Sequence, residues 1–428
     1  MRSGRSVVAL LAPEEKRLLL AEWLGAQPGD RVSGTALIAE ASVYAHRRLF
    51  PGLAGKSYFN YGARGPMPLP ALDAIRQALD TSESIGPFSH EALVFYEHST
   101  ESLRQTLAGI FSVAMDSIAL TENTTTACNI ALWGIDWKPG DHLLLSDCEH
   151  LSAIAVAQAV RDRCGIQLTS FNASQAANGA ELLEAFDRAV RPETRLVLVS
   201  HVLWNTGLVT PLASLREIAT ERTAGRCQVL VDGAQAAGLL DAEPEWDFYA
   251  FPASKWFCGP AGVGALIVAP EALERLRPVF GGWRGAAISE PDGAVRWRDG
   301  ARRYEAGTSC QALYCGWDAS IRVQREWGDS NVRVTRAREM GRAVWNRLTT
   351  MRENQELPPG AVVPADPPGA GILTLRLPDP EAVVSRLEVE GVYVRSIPYP
   401  ASLRICTHYL TSCADLQRLT DALARAWH

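Results

Sequence analysis

Val229-Leu-Val-Asp-Gly-Ala-Gln235 is a short apolar run closed by a carboxylate and a small-residue turn, and the same grammar recurs through the middle of the chain. Apolar runs at 117–120, 142–146, 196–200, 229–231, 248–251 and 264–268 alternate with helical patterns such as 151–163 and 211–223. Strands that are apolar throughout are covered on both faces, and strands separated by helices return in the same direction. The expectation is an α/β fold built on a mostly parallel central sheet.

Outward from this core the pattern changes. Helical periodicity occupies 69–80 and 90–111, behind a Gly- and Pro-rich stretch at 57–68 that reads as a structured loop. After Pro270, arginine-rich connections lead into a long helical stretch at 311–351 and a Pro-rich segment at 356–368. Strands near 371–377, 391–396 and 403–407 follow, then a closing helix. This predicts a large domain over 46–310 and a smaller C-terminal α/β domain over 311–428. The segment at about 46–70 is a candidate to pack with the small domain. Residues 1–45 read as a helical extension, in which Pro13-Glu14-Glu15 opens a run of helix formers.

A chain of 428 residues can bury a large core. With 47% apolar and 21% charged residues it has the composition of a soluble globular protein. Its net charge of -6 argues against nucleic acid as a main partner, because a phosphate-binding surface needs a basic excess. No apolar run is long enough to span a membrane, and the stretch to Ala12 lacks the cleavage site of a signal peptide. The 9 cysteines form no CxxC pair and no zinc spacing, so a reducing cytoplasm and no metal are expected.

Ligands of open α/β sheets bind at the carboxyl ends of the strands. Asp232, His150 and Lys255 each follow such an end. Lysine occurs only at Lys16, Lys56, Lys138 and Lys255, which leaves few candidates for a nucleophilic amine. Lys255 lies in Phe251-Pro-Ala-Ser-Lys-Trp-Phe-Cys-Gly-Pro260, among largely apolar neighbours. A desolvated amine forms Schiff bases readily, although a lysine stem can also pack inward while its head reaches water. Asp232 either caps the next turn or pairs with a pyridinium nitrogen, in which case Gln235 reaches the ring's phenolic oxygen. The run Thr121–Ile130 joins a strand to a helix, and its hydroxyls and free N–H groups suit a phosphate or serve as ordinary caps.

Eight stretches, in order over roughly 45–428, resemble the class V aminotransferase group of fold-type I pyridoxal-phosphate (PLP) enzymes. They are Tyr58-Phe-Asn-Tyr-Gly62, Ile85-Gly-Pro-Phe88, Leu120-Thr-Glu-Asn-Thr-Thr125, Leu144-Leu-Ser-Asp-Cys-Glu-His150, Ser200-His-Val-Leu-Trp-Asn-Thr-Gly207, Val231-Asp-Gly-Ala-Gln235, Lys255-Trp-Phe-Cys-Gly-Pro260 and Leu403-Arg-Ile-Cys-Thr-His408. Within that group the chain looks most similar to cyst(e)ine C–S lyases and isopenicillin N epimerase-like proteins. The resemblance implies that Lys255 carries the cofactor as a Schiff base and moves the substrate α-proton. It assigns Asp232 to the pyridine nitrogen, Gln235 to the phenolic oxygen, His150 to stacking on the ring, and Thr124 and Thr125 to the phosphate. Thr308 would reach a neighbouring subunit's phosphate in a homodimer. Arg404 would clamp the substrate carboxylate, a task suited to guanidinium geometry, with Asn60 beside it. Arg395 is either a second arginine for a distal carboxylate or a surface residue.

Several positions depart from the family's pattern. Pro252-Ala253-Ser254 stand where a hydroxyl residue, Gly and His usually precede the lysine, with Ser254 a partial substitute. Trp204 occupies the place of a cofactor-facing asparagine, with Asn205 next to it as a possible stand-in. Desulfurases carry a thiol on a mobile loop before the carboxylate arginine, whereas Ser396–Ser402 is short and contains no cysteine, and Cys406 reads as a core residue. The leading expectation is therefore β-elimination on cystine or a cysteine S-conjugate, with natural-product biosynthesis as one setting for the latter, releasing a thiol or persulfide through an aminoacrylate. Transamination, epimerisation and decarboxylating deamination share the same residues.

Overall fold

The computed structural model describes residues 34–240, 245–289 and 293–427. The helix expected at Pro13 lies outside them. The chain forms two compact units. Among the described residues, one comprises Pro70–Trp204 and Val209–Val323, and the other gathers those up to Leu69 with Asn205–Leu208 and those from Gln324 onward.

The first unit is built on a seven-stranded sheet: β1 (Ile118–Thr121), β2 (His142–Ser146), β3 (Gln167–Phe171), β4 (Thr194–Ser200), β5 (Gln228–Asp232), β6 (Phe248–Pro252) and β7 (Gly264–Val268). The strands lie in the order β1-β7-β6-β5-β4-β2-β3. From β6 through β5, β4 and β2 to β3 every pairing is parallel. β7 runs antiparallel to both of its neighbours. The reason is the connection. A parallel return needs a crossover of about a dozen residues or more, usually a helix, whereas 253–263 turns straight back. Lys255 sits in that turn.

β2, β5, β6 and β7 are buried at every position, as the apolar runs predict. On one face Leu143, Leu145, Leu196, Leu198, Leu230, Phe248 and Leu266 pack with Ala127, Ile130 and Ala131 of the helix Thr124–Gly134. Ala153, Val156 and Val160 of the helix Leu151–Cys164 join the same cluster. β3 is absent from the sequence expectation. It is an edge strand paired only with β2, and its Gln167, Leu168, Thr169 and Ser170 remain partly or fully exposed. The expected continuous helix at 311–351 is two helices, Gln311–Trp327 and Ser330–Glu353. Asp329 breaks the run by accepting the Val332 N–H as an N-cap.

The second unit carries a three-stranded antiparallel sheet, with β10 (Ser402–Cys406) between β8 (Ile372–Arg376) and β9 (Arg395–Ile397). Leu373, Leu375, Leu403 and Ile405 pack there against Met340, Val344, Leu416, Leu419 and Leu423. The strand expected at 391–396 splits in two. Val392–Tyr393 pairs in parallel with Ser57–Tyr58, inside the stretch read as a loop, and Arg395–Ile397 joins β10. Among the described residues no helix is long and apolar enough to cross a membrane.

Candidate active site

Asp232 is the last residue of β5, in register with Ser200 on β4 and Ala250 on β6. Its Oδ1 accepts the Ala234 N–H at 2.8 Å. Burial raises the carboxyl's pKa, while the charges of Lys255 and His150 pull it back down. These three groups therefore share one electrostatic site. Gly233 makes the turn beneath it possible: a Cβ there would lie 2.3 Å from the Tyr249 ring. Gln235 is buried, and its Oε1 accepts the Trp256 indole N–H at 3.2 Å.

Lys255 and Ser254 are half-buried in a turn whose neighbours Ala253, Trp256, Phe257 and Cys258 are all buried. Ala253 donates its N–H to Val263 and its carbonyl accepts from Gly259, which closes the turn around the lysine.

His150 has two attachments. Its Nδ1 meets the Ser152 hydroxyl at 2.6 Å and accepts the Ser152 N–H at 3.3 Å, which makes it the N-cap of the helix Leu151–Cys164. Its ring is also edge-on to Trp204, at 5.7 Å and 73°. The capping role and the place beside Asp232 hold together, because a ring tied at Nδ1 still presents Nε2 and its faces. Glu149, directly before it, is a buried carboxyl to which sequence reasoning assigned no part, although it stands in the quoted Glu-His pair. Nothing in a single sequence distinguishes a buried glutamate from an exposed one.

Thr124 and Thr125 open the helix Thr124–Gly134. Asn123 caps it by accepting the Thr126 N–H at 2.9 Å, and its carbonyl takes the Ala127 N–H. The N–H groups of Thr124 and Thr125 precede the first helical bond and point outward from the positive end of the helix. A cavity of about 590 Å³ lies against this turn, bounded by Thr125, Asn129, Arg284, Tyr304 and Ser309. Lys255, Asp232 and His150 do not line it, so the cavity marks the approach to the helix start rather than the whole site. Thr308 is exposed on the loop after Glu305.

In the other unit, Arg404 is 3% exposed at the centre of the small sheet, and its Nη2 donates to Asn60 Oδ1 at 3.4 Å. Arg395 is its exposed register partner on β9. Asn205 donates through Nδ2 to the Tyr399 carbonyl at 3.2 Å. Cys406 is buried in β10, as a core residue should be.

The Aminotransferase class-V family matches residues 57–396, and the chain belongs to it. Isopenicillin N epimerase of Streptomyces clavuligerus is 31% identical over 385 residues, covering 85% of this chain and 93% of that protein. The solved complex of the cystine C–S lyase C-DES with its reaction product cysteine persulfide superposes with a TM-score of 0.82 at 36% identity. It covers 88% of this chain and 99% of the other. A mutant of C-DES with glycine covalently linked to its PLP cofactor gives a TM-score of 0.83, also at 36% identity, over 88% of this chain and 98% of that one.

Proposed function

We propose that this class-V enzyme is a PLP-dependent C–S lyase that carries out β-elimination on cystine or a cysteine S-conjugate. The cofactor is PLP, as membership of the family and the PLP cofactor of the similar C-DES imply. The residues present fit it. A buried carboxylate at a strand end, acted on by a lysine and a histidine, suits a protonated ring nitrogen. The exposed first turn of an 11-residue helix suits a phosphate.

When bound, PLP supplies an electron sink for charge developing at the substrate α-carbon. Lys255 holds it covalently and then moves the α-proton. Asp232 keeps the ring nitrogen protonated, Gln235 faces the phenolic oxygen, and His150 covers the ring. Thr124 and Thr125 take the phosphate, with Thr308 of a second copy in a homodimer completing the set. Ser254 and Asn205 flank the cofactor. Arg404 and Asn60 hold the substrate α-carboxylate, and Arg395 a distal one.

The observation that carries lyase over desulfurase is the turn at 398–401. It joins β9 directly to β10 and offers no thiol to accept sulfur from a substrate. The similarity to isopenicillin N epimerase favours a second reading, α-epimerisation or transamination through the same residues. The test is to offer cystine and a panel of cysteine S-conjugates and follow pyruvate and thiol or persulfide without any amino acceptor. Release of both, lost in Lys255→Ala along with the visible absorbance of bound PLP, is the expected result. A keto acid that forms only when an acceptor is added overturns the lyase.

A further inference from the structure

Two carboxyl groups, Glu149 and Asp232, are buried at the carboxyl end of the central sheet within electrostatic reach of each other. Glu149 is 3% exposed and laces together two adjacent strand ends. Ser146, closing β2, donates its hydroxyl to Oε1 at 2.5 Å. Ser200, closing β4, donates its N–H to Oε1 at 2.9 Å and its hydroxyl to Oε2 at 2.7 Å. These donors are two hydroxyls and an amide, none of them a cation. Ser200 is in turn the register partner of Asp232, and His150 follows Glu149 in the chain. One side chain therefore ties down the neighbours of two groups assigned to the cofactor.

The charged and titratable groups around this pair come from several elements. Asp232 faces Glu149 from β5. The Cys128 thiol, on the helix Thr124–Gly134, is pushed up by burial and by both carboxyls. Lys255, His150 and the Tyr249 phenol interact with Asp232. Burial raises the Glu149 carboxyl to about 7, the Ser146 and Ser200 hydroxyls oppose that rise, and the charge of Asp232 adds to it. Glu149 thus changes charge near neutral pH.

We propose that Glu149 is a positioning residue that fixes the strand ends around Asp232 and, by its own charge, sets how strongly Asp232 and the ring nitrogen it holds retain a proton. The idea rests on the reading that Asp232 pairs with the pyridine nitrogen of PLP. An ionised Glu149 adds negative potential and favours the protonated ring, and a neutral one relaxes that hold.

Glu149→Gln preserves the shape and removes the charge. Two measurements test it. In the holoenzyme, the pH titration of the visible absorbance of bound PLP should move to lower pH by about half a unit or more, as expected for loss of a nearby anion. In the cofactor-free protein, Tm should be followed against pH. An acid whose folded pKa is raised contributes stability below its unfolded value, near 4.5, and that contribution is lost as pH rises through about 7. Wild type should therefore lose Tm relative to Glu149→Gln across that window. Ser200→Ala, which removes one donor to the carboxylate, should carry the loss above 7. Parallel Tm profiles, or holoenzyme titrations that coincide, overturn the proposal. A wild type with no visible band overturns the PLP reading and, with it, the effect on the ring. The Tm profiles then test only whether the buried Glu149 carboxyl titrates near 7 in the folded chain.

Discussion

Arg395 and Arg404 are register partners across the antiparallel pair β9–β10. Like charges directly opposite on a sheet repel, and an anion held between or above them removes that cost. Arg404 is buried with its contact to Asn60, so it suits the α-carboxylate common to every substrate, while Arg395 is exposed and suits a group further out. Arg404→Lys is expected to raise KM about ten- to hundredfold for all amino-acid substrates, because the forked geometry is lost. Arg395→Ala should raise KM about tenfold for cystine and little for an S-alkylcysteine, since it removes one outer charge contact. Steady-state kinetics on the two substrates checks this. An equal effect of Arg395→Ala on both would assign it to the surface.

How much of this was readable beforehand follows burial. β2 and β7 carry the bounds the apolar runs implied, because strands covered on both faces announce themselves as apolar throughout. β3 was hidden because an edge strand keeps polar residues such as Gln167 and Ser170. The break at Asp329 was hidden because a single capping residue inside a run of helix formers is a weak signal against the periodicity around it. Asp232 and Lys255 could be picked out from their places after strand ends. The tying of Glu149 to Ser200, 51 residues away, depends on which strands become neighbours, and no local pattern encodes that. The Gln235 contact with Trp256 was invisible for the same reason.

Glu305 sits between two buried arginines. Its Oε1 accepts from Arg104 Nη2 and from the Leu120 N–H, each at 2.9 Å, and its Oε2 accepts from Arg284 Nη2 at 2.6 Å. Arg284 also reaches the Ser309 hydroxyl at 2.9 Å, so the cluster anchors both ends of the loop that carries Thr308. Removing the carboxylate leaves two buried guanidinium charges short of their shared partner. Glu305→Ala should lower stability by about 3–5 kcal/mol. Urea unfolding measures it, and a loss below about 1 kcal/mol would mean that water enters and replaces the carboxylate.

Gly233 has no room for a side chain, since the added carbon would strike Tyr249, which is itself fully buried. Gly233→Ala must therefore displace either the ring or the end of β5. Overpacking of this kind costs about 1–3 kcal/mol. Because Asp232 is the adjacent residue, the affinity for PLP should fall along with Tm. A variant that loses Tm but binds PLP as tightly as wild type would show that the ring yields and the strand end stays.

His201 lies under the same strand ends, with Nδ1 3.1 Å from the Tyr249 hydroxyl, and burial alone pushes its pKa down to about 4. The unfolded imidazole takes its proton near 6.5 and the folded one near 4, so between these values the unfolded chain binds more protons and stability falls as pH drops. The full difference is on the order of 3 kcal/mol, reached once pH is below about 4. His142 is lowered similarly, so wild type carries both slopes. Glu149 acts in the opposite direction across an overlapping window, because its raised carboxyl makes the folded state the better proton acceptor. The wild-type acid limb is therefore shallower than the two histidines alone would make it, because Glu149 offsets about one of their slopes. Differences between variants separate the contributions: His201→Asn should flatten the acid limb relative to wild type, and Glu149→Gln should steepen it. Equilibrium unfolding from pH 7 down to about 4 reads both slopes. If His201→Asn leaves the slope unchanged, the imidazole is reaching water on that side of Tyr249, and its burial cannot be what governs its charge.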